Sequence, residues 1–164
     1  MDKKILILFT FILFLFPIYV IYCNYHPKHY YLSNILCNHK VKHYFINFLF
    51  LFSILILLYE YIRNDFYSIF IICVILIGLY MLICINEKNA VHWVYSFLVL
   101  LFMLFFMIRH CYTEYCDSIL LSSLLLEIII ALLIIFFISD KIFWLQSFFI
   151  LNFGFFYIYL EFIQ

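Results

Sequence analysis

Polar and charged residues recur at intervals along the chain and leave six apolar stretches between them: 5–22, 44–62, 66–85, 91–108, 118–138 and 142–160. Each meets or approaches the roughly 20 residues that a helix needs to cross a hydrocarbon core of about 30 Å. Of 18 formally charged side chains, only Glu60 and Glu127 fall inside these stretches. A charged residue at the centre of a spanning helix costs about 2.5–3.5 kcal/mol to insert. The pattern therefore predicts an all-α fold, a polytopic transmembrane helical bundle of six spans in one transmembrane domain over 1–164. Arg63-Asn64-Asp65 and Ser139-Asp140-Lys141 are short enough to be tight turns, which makes antiparallel hairpins of spans two and three and of spans five and six. Residues 86–90 form a third short turn, 109–117 a longer connection, and 23–43 the one sizeable polar loop. Alternation puts 23–43, 86–90 and 139–141 on one face, with 109–117 and both termini on the other. Four basic residues (Lys3, Lys4, Arg63, Arg109) then oppose five (Lys28, Lys40, Lys42, Lys88, Lys141), so positive charge gives no orientation. Asp2-Lys3-Lys4 before an apolar run has the start of a signal peptide, but the bulky Ile21-Tyr22-Cys23 exit lacks the small residues of a cleavage site, so span one is expected to stay.

Composition narrows the class further. The chain is 70% apolar and 11% charged, against about 45–50% and roughly a quarter in soluble domains. A water-soluble fold of this size cannot hide so much apolar surface. Nine basic residues cancel nine acidic ones, which leaves no excess to seek phosphates, so nucleic acid is not an expected partner. Two Gly and two Pro among dense hydrophobics exclude collagenous and disordered chains. They also supply no paired helix interruptions of the kind carriers use.

Glu127 is the most informative single position. It sits at the middle of span five, so it is expected to face the bundle interior. Ser123, Glu127 and Ala131 share one helical stripe, which marks a packed face. Span six carries a matching seam of Ser147, Gly154 and Glu161 at seven-residue spacing. Two readings of Glu127 stand side by side: an acid that binds a lipid headgroup, a cation or a proton, and a neutral acid hydrogen-bonded to Ser, Asn152 or Gln146. His92 opens span four beside Trp93, either reaching toward headgroups and the 23–43 loop or simply belonging to an interfacial belt. The loop holds Cys23, His26, His29, Cys37, His39 and His43. These are zinc-type ligands at a spacing that matches no zinc pattern. A Cys23–Cys37 disulfide in an oxidising lumen and plain interfacial residues are the other readings. Cys111 and Cys116 are too far apart for a CxxC pair and lie on the face opposite Cys23 and Cys37, which disfavours thiol redox relay. No cofactor is expected.

With these residues placed, the chain resembles the six-helix Frag/DRAM/Sfk family. Tyr31-Leu32-Ser33-Asn34 stands in the first polar loop, where that family tends to have an aromatic, an aliphatic, Ser and Asp. Val91-His92 opens span four and Glu127 falls in span five, as the family often has them. Asn34 replaces the acid, and Ile128 stands where Trp is frequent. The resemblance implies a non-catalytic lipid-organising or membrane-trafficking and autophagy-type scaffold, with Ser33, His92 and Glu127 as the residues to carry over into one polar cavity. Expected partners are membrane lipids, and a second copy or another membrane protein. The alternatives are an intramembrane lipid-modifying enzyme using Ser33, His92 and Glu127, and an assembly protein that associates through the Ser147/Gly154 seam.

Overall fold

A computed structural model describes residues 3–25, 32–36, 38–85, 89–113, 116–136 and 142–163. These residues are helical apart from caps and turns, with no strand among them. The helices are α1 (Lys3–Cys23), α2 (Leu32–Leu36), α3 (His39–Arg63), α4 (Phe66–Cys84), α5 (Ala90–Thr113), α6 (Ser118–Phe136) and α7 (Ile142–Ile163). Among the described residues, all but α2 are long and apolar enough to cross a membrane. The chain is a six-span, multi-pass membrane protein. Its outward side chains agree with that reading. Tyr22, Tyr44, Trp93 and Trp144 are exposed at one end of the bundle, and Tyr61, Tyr67 and Tyr112 at the other. Two aromatic girdles of this kind mark the two membrane–water interfaces.

The spans form a ring in chain order. Each packs on the next, α1 on α3, then α4, α5, α6 and α7, and α7 returns to α1. Short connections force this neighbour-to-neighbour path. At the α3–α4 turn Asn64 takes a left-handed backbone with φ 60°, a region that Asn enters more readily than most residues. Asp65 then caps α4 by accepting from the Ser68 amide at 3.2 Å. Asp117 opens α6 in the same way, accepting from Leu120 N at 2.8 Å. Gly78 brings α4 against α5, where an added Cβ would lie 2.4 Å from Val99 Cγ2.

Three boundaries differ from the apolar pattern, each for a reason visible in the packing. The stretch 23–43 is not all loop, because Leu32 and Ile35 of α2 are buried in the core and Gln146 Oε1 accepts from Leu32 N at 2.9 Å. Helix α5 runs to Thr113 rather than stopping at 108, since Arg109 and His110 find polar partners on α4. Helix α7 passes 160 because Glu161 is buried against Tyr59.

Candidate functional site

Two features occupy the inside of the ring. The first is an apolar groove of about 1100 Å³, partly open to the surroundings, between α1, α3, α4 and α7. Its α1 wall runs from Ile7 to Ile21 and its α3 wall from Phe45 to Ile56. At 1.5 Å per residue that is a length of about 17–21 Å, slightly more than one leaflet's half of a hydrocarbon core of about 30 Å. Among the described residues, the side-chain hydroxyls in its lining belong to Thr10 and Tyr157. Both are already used: Thr10 Oγ1 donates to the Leu6 carbonyl at 2.8 Å, and Tyr157 donates to Glu60 Oε1. Such a lining gains dispersion contacts from hydrocarbon and offers nothing to a polar ligand.

The second feature closes the ring at the end that carries the α3–α4 turn. Tyr59 of α3 donates to Glu161 Oε2 of α7 at 2.5 Å, while Tyr157 of α7 donates back to Glu60 of α3. The two tyrosine rings pack with centroids 5.7 Å apart. This reciprocal clasp joins α3 and α7 across the ring, and all four side chains are buried. Arg63 approaches Glu60 Oε1 at 3.8 Å.

Beside the clasp, Arg109 grips Asp65 through two parallel bonds of 2.7 and 2.9 Å. Ser68 Oγ donates to Asp65 Oδ2 at 2.8 Å and accepts from Arg109 Nη1 at 2.9 Å. Burial opposes charge on Asp65, but hydrogen bonds from Arg109 and from the Ser68 hydroxyl and amide, with the guanidinium charge, outweigh it and hold this carboxyl at about 2. His110 lies between Ser68 Oγ (3.0 Å from Nε2) and Arg63 Nη2 (3.3 Å from Nδ1). A guanidinium only donates, so Nδ1 accepts and the network assigns the proton to Nε2, which donates to Ser68. The Ser68 proton goes to Asp65. Ser68 and His110 therefore touch as a hydrolase dyad would, yet they are wired against general-base activation, in which the histidine must accept from serine.

The candidates read from sequence occupy other places. Glu127 is fully buried, and Asn152 Nδ2 donates to its Oε2 at 2.6 Å and to the Ser123 carbonyl at 2.9 Å. Ser123 Oγ donates to Asn152 Oδ1 at 2.9 Å, so these groups tie α6 to α7. Ala131 is buried on the same α6 stripe. Ser147 donates to the Phe143 carbonyl of its own helix, and Gly154 faces Phe14 and Phe11 of α1. His92 is buried with Nδ1 3.1 Å from the Ile85 carbonyl. Along the antiparallel α5–α6 pair it lies about 18 Å in depth from Glu127. Neither residue lines the groove.

Comparison with protein-family models, characterised proteins and solved structures finds no match.

His26, His29 and Cys37, and the side chains of Ser33 and His39, lie outside the described residues. Cys23 is an exposed free thiol and His43 is exposed. No group of three metal-ligating side chains occurs among the described residues. Apolar periodicity does not pick out the clasp or the Asp65–Arg109 pair. The available signal was positional: Glu60, Arg63, Asp65, Arg109 and Glu161 all sit at helix ends on one face, next to tyrosines.

Proposed function

We propose that this multi-pass protein is a non-catalytic, lipid-organising membrane protein that holds a bilayer hydrocarbon chain in the groove between α1, α3, α4 and α7. The observation that carries the reading is the lining: about one leaflet deep, and with the side-chain hydroxyls of its described residues bonded within the protein. Hydrocarbon is what the bilayer supplies to such a surface. The wiring of Ser68 and His110 supports a non-catalytic role for that pair. A lipid-organising scaffold is also the role implied by the resemblance to the Frag/DRAM/Sfk family.

The test is native mass spectrometry of the protein purified in mild detergent, wild type beside Leu79→Trp. Leu79 lines the groove from α4, and an indole there occupies the volume of a chain. Wild type should retain a phospholipid through detergent exchange and the variant should lose it, with helix content unchanged. Equal lipid content in the two proteins refutes the reading.

A further inference from the structure

The two ends of the groove differ in charge. At the clasp end, Glu60 and Glu161 are buried and bonded by tyrosines, and Arg63 and Arg109 are engaged with Glu60 and Asp65. An anionic group there meets acids first and finds its two arginines in use. At the opposite end, the segments joining the spans carry Lys28, Lys40, Lys42, Lys88 and Lys141 against Glu87 and Asp140. Lys42 is the described cation nearest the groove by position. It lies one helical turn before Phe45, which lines the α3 wall, and its Nζ reaches across to the Cys84 carbonyl at 3.4 Å, next to Ile83 of the α4 wall. The ammonium thus bridges two walls of the groove at one end. It carries three donors, of which the Cys84 contact uses one.

We propose that the occupant is an acyl chain of an anionic phospholipid, with its tail directed toward the Tyr59–Glu161 and Tyr157–Glu60 clasp and its phosphate at the Lys42 end. This inference rests on the hydrocarbon-groove reading above and adds headgroup class and direction. The basis is charge complementarity. One end presents buried acids and is sealed, the other a lysine across two walls within a segment rich in lysine. The length of the α1 and α3 walls fits a chain entering from that one interface.

The experiment titrates the full-length protein in mild detergent with dioleoyl phosphatidylserine or dioleoyl phosphatidylcholine, read by native mass spectrometry. The chains are identical, so only the headgroup differs. Phosphatidylserine should be retained about fivefold more strongly, the factor that one lysine supplies near an anionic group. Lys42→Gln should bring the two lipids to parity without changing phosphatidylcholine retention, and Lys42→Arg should restore the preference. In the wild type the preference should shrink as salt rises from about 0.05 to 0.5 M, which tests the inference even where a variant fails to fold. Inorganic phosphate at matched concentration should not displace the lipid, because it has no chain. Equal retention of both lipids, or a preference unmoved by both salt and Lys42→Gln, overturns the headgroup assignment while leaving the groove reading intact. Retention of neither lipid overturns both.

Discussion

Gly78 gives a sharp test of the helix packing. A methyl group built there lies 2.4 Å from Val99 Cγ2 on α5. Carbons in contact prefer about 3.5–4.0 Å, so Gly78→Ala arrives roughly 1 Å too close. Val99 is buried and β-branched, and in a helix its χ1 is held near one rotamer. It cannot swing aside cheaply, so either α4 and α5 separate or Val99 is forced off its rotamer. Overpacking of this kind costs about 1–3 kcal/mol, and a contact this short belongs near the top of that range. The better helix propensity of alanine returns up to about 1 kcal/mol. The net expectation is a loss of about 2 kcal/mol, read as a lower midpoint in sodium dodecyl sulfate unfolding from mixed micelles, followed by far-ultraviolet circular dichroism. Val99→Ala alone should cost a similar amount through the cavity it leaves, about 2 kcal/mol. In the double variant the methyl group introduced by Gly78→Ala moves into the space the valine vacates. That protein should be more stable than the sum of the single losses predicts, by about 2 kcal/mol of coupling. If Gly78→Ala unfolds like wild type, or if the two losses simply add, the close approach of α4 and α5 is not where the structure puts it.

Two other perturbations probe the polar contacts. Asn152→Leu removes the donor to Glu127 and the acceptor for Ser123 in one step, and should cost about 1–2 kcal/mol in the same unfolding assay. Glu127→Gln keeps a carbonyl oxygen for Asn152 and should lie within about 0.5 kcal/mol of wild type; a larger loss would show that the carboxyl does more than accept that bond. Asp65 is held at about 2 against an ordinary 3.8, so its ionised form contributes stability that is fully present above 3.8 and is lost as pH falls through about 2. The thermal midpoint should therefore be insensitive to Asp65 from pH 7 down to about 4 and decline below it. Asp65→Asn should remove that acid limb, and an unchanged limb would assign the effect to another group.

The six spans were legible because charge is expensive in hydrocarbon, and this chain keeps its charges in the breaks. The interior position of Glu127 follows from the same cost. What the apolar pattern does not resolve are the ends. Arg109 and His110 read as loop residues because they are polar, yet they extend α5 once Asp65 and Ser68 meet them across the α4 boundary. Leu32 and Ile35 are too few to register as an element, and their burial as α2 depends on α7 supplying Gln146. In each case the deciding partner is distant in sequence. A one-dimensional pattern weighs each residue against lipid or water and has no term for that partner.

The ring order accounts for the placement of both interior features. Neighbouring spans can satisfy one another face to face, but side chains pointing into the ring must meet helices that are not their sequence neighbours. Phe106, Phe149 and Phe156 are fully buried on α5 and α7, and none of them lines the groove. Between α3 and α7, which share no close backbone approach among the described residues, the connection is made by long side chains: a tyrosine and a carboxylate from each side. Carboxylates are tolerable there only because each meets a tyrosine from the opposite helix close to the interface rather than at the bilayer centre. Above the clasp no pair of that kind spans the gap among the described residues, and the walls turn aliphatic and aromatic. A single arrangement of helices thus produces a chain-length apolar space that is polar and sealed at one end and bordered by lysines at the other.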